Sequence, residues 1–260
     1  SLAKELIVKH SRQMSAAAPR PGRLWPIDRL FPLGRAATLG LGLALSVSTG
    51  LPQPARAAEV VEPGSGQKFT TPLVIGGVNY SLLGVGLRSR QAGKEPKTPL
   101  YAMALYVDHA GAKIPFPALY GKAPTRAMMM AESRAQNFVL WGRFGKLAVL
   151  RFIQPFDKTD LLAELRTGLA DLLTDKAPEE LRKDVEKFLA LFSKDWKPGE
   201  ELRIQTDETG RIDVQIDGIK RPGPHNPKLA RHIWEIWLGS HGLSKEMRQT
   251  LVDKLDVLKK

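Results

Sequence analysis

The chain of 260 residues contains no cysteine. Disulfides, thiolate nucleophiles and cysteine-ligated metals are excluded, and the fold must be held by its core. Long apolar runs are also missing. The charge-free stretch Ala36–Leu51 carries Gly, Ser and Thr and falls short of the roughly 20 residues that a spanning helix needs. Aromatic residues are only 7% of the chain and do not interleave with a basic stripe, as a single-strand nucleic-acid platform requires. Catalytic signatures are scarce too. There is no GxxxxGK phosphate loop, no HExxH and no GxSxG elbow. "GVGLRS" starts like a dinucleotide loop but carries Ser89 in place of the third glycine, with no βαβ unit around it. His232 and Glu235 stand three apart, and a pair alone does not make a metal site. No metal and no cofactor is expected.

The formal charge is +12, with 39 Lys/Arg against 27 Asp/Glu. Eight of those bases and two of the acids lie in residues 1–57, which leaves 31 against 25 beyond them. The remaining charge is scattered, which argues against a nucleic-acid partner. The N-terminal segment reads as a targeting signal. Arg20, Arg23, Arg29 and Arg35 precede the apolar stretch, and Ala55 and Ala57 satisfy the small-x-small rule for a cut after Ala57. Met14 offers a start that gives the basic region its usual place. The expected organisation is a signal and upstream residues over 1–57, a flexible arm over 58–66, and one domain over 67–260. Export to the periplasm or beyond follows, with no stable membrane span after cleavage.

Within the domain, apolar periodicity predicts strands at both ends and helices between and after. Two strands flank Gly76-Gly77, a hairpin signal. "LYAMALYVD" alternates so that Tyr101, Met103, Leu105 and Val107 share one face, with Ala102, Ala104 and Tyr106 on the other. "KLAVLRFI" is another strand, and "EELRIQTDETGRIDVQIDG" a second hairpin turning at Asp207–Gly210. Residues 109–127 are Pro-rich, irregular or partly helical. Helices are predicted over Asp157–Leu173, with a leucine stripe and Asp157 or Thr159 as cap, and after Pro178. Two more close the chain, one with Asn226 as cap and Gly239 as terminator, the other capped by Ser244. The pattern is not a regular βαβ alternation. It predicts an α+β fold, a largely antiparallel sheet with helices packed on one face.

The segment "GVGLRSRQAGKEPKTPLYAMALYVD" concentrates the functional signal. Strand parity points Leu82, Gly84, Gly86 and Arg88 the same way. Two glycines ahead of an arginine leave bare backbone and room against the sheet. An arginine fork suits a carboxylate or enolate, and a tyrosine on the next strand, Tyr101, can donate beside it. The bland reading stands alongside: a glycine bulge, a solvated Arg88 and a core Tyr101. Arg90 shares the face of Arg88 and is a substitute if the register shifts.

"GVNYSLLGVGLRSR…LYAMALYVD" resembles the N-terminal sheet motif of the chalcone isomerase-like family. "HNPKLARHIWEIWLGSHGLSKEMRQTLVDKL" resembles its C-terminal pair of helices, and the 200–218 hairpin sits between them as in that family. The resemblance implies an open-faced β-sandwich, a large antiparallel sheet covered by a helical layer with a cleft between. It also implies two kinds of relative: isomerases that close a chalcone ring, and non-catalytic proteins, some of which hold a fatty acid by an arginine and a tyrosine. Arg88 and Tyr101 fall at those positions, with Gly84, Gly86 and Met103 lining the cleft. The resemblance to the isomerases is weaker. Their helix-borne Tyr, Lys and Asn have no counterpart over Asp157–Leu173 beyond Lys158, and Tyr101 replaces a threonine. The expected function is non-catalytic binding of a fatty acid or similar small amphiphilic carboxylate. The alternatives are an intramolecular lyase of the chalcone–flavanone type, with Arg88 as electrophilic aid, and an envelope interaction module. In the last, Trp234 and Trp237 form an interface rather than core.

Overall fold

The structure is a computed structural model that describes residues 57–259 except 92, 94, 95 and 241. The expected signal segment, up to residue 56, lies outside the described residues. Seven strands form one antiparallel meander in chain order: β3 (Leu73–Ile75), β4 (Val78–Arg90), β5 (Thr98–Asp108), β6 (Lys146–Phe152), β7 (Glu201–Thr206), β8 (Arg211–Ile216) and β9 (Ile219–His225). Gly76 and Gly77 join β3 to β4 with φ of +57° and +81°, the pair of positive values that a two-residue hairpin turn with the twist of the strands demands. Asp207 closes the β7–β8 turn, its carboxylate accepting from the backbone of Thr209 and Arg211.

The helices gather on one face. They are α1 (His109–Lys113), α2 (Phe116–Tyr120), α3 (Arg126–Met130), α4 (Arg134–Trp141), α5 (Lys158–Gly168), α6 (Glu179–Leu189), α7 (Pro227–His232), α8 (Glu235–Leu238) and α9 (Lys245–Thr250). Tyr101, Met103, Leu105 and Val107 of β5 enter the core beneath them, together with Leu161, Leu165, Leu169 and Leu172 of the α5 stripe and its continuation. Ala102, Ala104 and Tyr106 face a second, smaller core on the other side of the sheet. The α+β class and the helix-covered sheet are as the sequence predicts, and so are both β5 faces.

Several local expectations are corrected. Residues 58–66, expected as a flexible arm, hold strand β1 (Ala58–Val61), which pairs with β2 (Lys68–Thr71) in a separate hairpin. Glu62 closes its turn: the carboxylate accepts from the N–H groups of Gly64 and Ser65 and from the Ser65 hydroxyl. A side chain satisfying the turn in this way cannot be read from a polar, glycine-containing composition. The hairpin lays Phe69 onto the smaller core, and Tyr106 donates to Thr70 O at 2.9 Å. Pro72, with no N–H, separates β2 from β3 in what the sequence presents as one strand. Strand β9 is not among the strands that the sequence pattern predicts. Its Pro222 and Pro224 are tolerated because it is the edge of the sheet.

Leu82 is a further correction. A bulge between Leu82 and Gly84 adds one residue to β4 and reverses parity across it. Leu82 therefore joins the smaller core, while Leu83 joins the helix-side core. The Leu83 carbonyl accepts from Lys254 N at 2.7 Å, which ties the C-terminal segment to the bulge. Capping follows the sequence at Asn226, which accepts from Lys228 N and Leu229 N, and at Ser244, which accepts from Met247 N. Asp157 sits at the start of α5 without a capping bond of its own; Asp195 accepts from Lys158 N instead. The helix expected from Asn226 to Gly239 divides into α7 and α8. Between them the backbone tightens to i→i−3 bonds at Trp234 and Ile236, and Trp234 Nε1 donates to Thr206 Oγ1 at 3.0 Å.

Candidate functional site

Arg88 on β4 and Tyr101 on β5 are direct partners in the sheet register, so both side chains rise from the same spot toward the helices. A carboxylate is already there. Glu164 of α5 accepts at Oε1 from Arg88 Nε (2.9 Å) and Nη2 (2.7 Å). Its Oε2 accepts from the Tyr101 hydroxyl at 3.1 Å. Trp237 of α8 donates Nε1–H to the Tyr101 oxygen at 3.2 Å, and Arg88 Nη1 donates to Ser89 O. Both oxygens of one buried carboxylate are thus held by the two residues that the sequence proposed as an anion site. Little of the pair reaches solvent: the Arg88 and Glu164 side chains are 17% and 9% exposed.

The surroundings keep the cluster dry on the sheet side. Tyr101 meets Phe152 and Phe156 edge-on at 5.8 and 6.0 Å, and Phe152 stacks on Trp196 at 4.5 Å. Burial, and after it the charge on Glu164, push the Tyr101 phenol well above its ordinary range. Tyr101 therefore remains a donor. Helix α5 reaches this position because Gly168 lets it lie on Ile236 of α8; a Cβ there would stand 2.5 Å from Ile236 Cγ1. The same approach delivers Trp237 to Tyr101.

The other candidates fall differently. Gly84 and Gly86 share the helix-facing side with Arg88, but the space they leave is filled by the chain's own C-terminal segment. A Cβ on Gly84 would lie 2.0 Å from Thr250 O, and one on Gly86 2.8 Å from Thr250 Oγ1. The bare backbone seats α9. Met103 is fully buried in the helix-side core. Arg90 pairs with Asp160 at 2.9 Å and lies 5.8 Å over Phe156. Trp234 and Trp237 are both buried. Sequence reasoning missed Glu164. The available signal was a carboxylate at an inward position between Leu161 and Leu165 on an apolar stripe.

Two other polar pairs come close to one another. Ser81 Oγ and His109 Nδ1 are 2.8 Å apart, but the neighbouring Asp108 carboxylate accepts from Ala110 N to cap α1. His232 Nε2 lies 4.0 Å from Glu235 Oε1. Among the described residues no group of three or more His, Asp or Glu gathers to hold a metal.

An open-faced antiparallel sheet, roofed by helices over an arginine–tyrosine pair, defines the class of fold. Residues 131–253 match the family model described as chalcone isomerase-like. The matched span takes in the second hairpin and the terminal helices and leaves the β4–β5 segment outside. The fold is shared with the crystal structure of a fatty-acid binding protein from Arabidopsis thaliana, 20% identical, with a TM-score of 0.65, covering 78% of this chain and 99% of that one. No curated protein sequence matches the chain.

Proposed function

We propose that the protein binds a fatty acid or a similar small amphiphilic carboxylate between sheet and helices, without catalysis, after export and cleavage following Ala57. The observation that carries this is the coordination of Glu164. Arg88 and Tyr101 together hold both oxygens of a carboxylate in a buried setting, which is the chemistry a fatty-acid head group requires. Glu164 is then the resident occupant, and a ligand enters by exchanging with it. Exchange keeps Arg88 paired, and it requires the displaced Glu164 carboxylate to turn out to solvent, since it cannot stay buried without a partner. The Leu161, Leu165 and Leu169 stripe is packed into the core, so an acyl chain enters only as α5 parts from the sheet, with about 0.8 kcal/mol regained per methylene it buries. The family resemblance and the fatty-acid binding protein with the same fold support the reading. The absence of Tyr and Asn from α5 weighs against the chalcone–flavanone reaction.

A second reading has an observation of its own. Glu164 fills the pair, and α9 fills the space before Gly84 and Gly86, so the cluster can be a structural clasp in an interaction module. Titration of the full chain with a fluorescent fatty acid separates the two. In the binding reading, Glu164→Ala removes the competitor and binds several-fold tighter than the wild type, while Arg88→Ala loses saturable binding with its circular dichroism intact. Absence of binding by both the wild type and Glu164→Ala, over several chain lengths, leaves the clasp.

A further inference from the structure

Three large apolar side chains stand out from one face of the helical layer. Ile114 is 81% exposed, Leu119 53% and Trp141 54%. They line two adjoining open cavities of about 730 and 610 Å³ that share Pro115, Trp141 and Gly142. The first is bordered by Arg134 and the second by Arg143, and the Arg231 guanidinium lies 5.7 Å over the Trp141 ring. Two acids, Asp108 and Glu208, border the second cavity, and Asp108 is engaged in capping α1.

We propose that this face docks on the surface of an anionic lipid bilayer. Ile114, Leu119 and Trp141 enter the acyl–headgroup boundary while Arg134, Arg143 and Arg231 meet headgroup phosphates. An exposed apolar ridge rimmed by arginines is the arrangement such a surface takes, with tryptophan suited to the interface. Each arginine near an anionic membrane adds to the partition. A second copy of the chain fits less well, because a two-fold contact on this patch would set its arginines against one another. The inference does not depend on the carboxylate site.

The lack of cysteine makes the test clean. In the full chain, a single Leu119→Cys or Ile219→Cys carries an environment-sensitive fluorophore; Ile219 is 66% exposed on β9, outside the patch. Labelling by position separates this face from any binding by the N-terminal apolar stretch. With phosphatidylglycerol vesicles the label at 119 shifts to the blue and is quenched by lipid-borne nitroxide, while the label at 219 is not. Arg134→Gln weakens partition about fivefold, as does raised salt in the same direction, and phosphatidylcholine vesicles bind less. No shift at 119, or equal quenching at both positions, overturns the proposal. A shift at 119 that follows protein concentration without vesicles overturns it in favour of self-association.

Discussion

Two arginines two residues apart on β4 meet two carboxylates one turn apart on α5. Arg88 reaches Glu164 at 2.7 Å and Arg90 reaches Asp160 at 2.9 Å. The distances barely differ, but the environments do. The side chains of the first pair are 17% and 9% exposed, those of the second 47% and 42%. Only the first carboxylate is also held by a tyrosine, itself held by a tryptophan. The contrast teaches that proximity of charges is not the quantity that matters. In the buried pair each partner makes the presence of the other obligatory, because neither can be left alone in a dry site. In the exposed pair water substitutes for either partner.

Breaking the inner pair gives the largest effect. Arg88→Ala leaves Glu164 as an uncompensated buried charge and is expected to cost about 3–5 kcal/mol, read as a lower urea midpoint at unchanged slope. The double change Arg88→Met with Glu164→Leu should recover most of that loss, since an apolar pair of similar volume avoids desolvation altogether. A double variant as unstable as the single one would mean that the strand–helix contact, and not the charge, was lost.

Next comes the stretch of β4 that seats α9. Gly84→Ala places a methyl group 2.0 Å from a backbone carbonyl of the C-terminal segment, and backbone cannot swing aside as a side chain can. The expected cost is about 1–3 kcal/mol, with earlier hydrogen exchange in residues 247–255. Tyr101→Phe is expected to cost about 1–3 kcal/mol because it leaves both Glu164 Oε2 and Trp237 Nε1 without their partner. It also carries a pH signature. The Tyr101 phenol is raised in the folded state, first by burial and then by Glu164. Its stabilising contribution is complete below the unfolded tyrosine pKa of about 10 and is lost as pH rises above it toward the folded value. The wild type should therefore lose more stability above that pH than Tyr101→Phe does. Equal alkaline profiles would remove Tyr101 from the account.

The pattern of what was legible in the sequence follows range of interaction. The Gly76-Gly77 turn, the two faces of β5 and the caps at Asn226 and Ser244 are set within a few residues, and local periodicity reveals them. The parity of Leu82 fails because a bulge is invisible to alternation. The β1–β2 hairpin fails because its turn is made by a side chain, that of Glu62. Arg88 and Tyr101 stood out because they are cross-strand partners 13 positions apart, joined by one loop. Glu164 did not, because it lies 76 positions from Arg88 and only tertiary packing through Gly168 and α8 brings it there. The glycines at 84 and 86 read as room for a ligand, and sequence does not say that the group filling that room is the chain's own C-terminal segment.

The outer pair should give the smallest effect and so calibrates the others. Arg90→Ala or Asp160→Ala is expected to cost no more than about 1 kcal/mol in either order, and the loss should shrink as salt is raised because both side chains face solvent. Arg90 also lies over Phe156, so Arg90→Ala should cost slightly more than Asp160→Ala, and that remainder should not respond to salt. A double-mutant cycle across Arg90 and Asp160 isolates the charge coupling from this packing. Should the coupling equal that of Arg88 and Glu164, burial would not be the variable that separates the two pairs, and the case for an exchangeable carboxylate in a dry anion site would lose its physical basis.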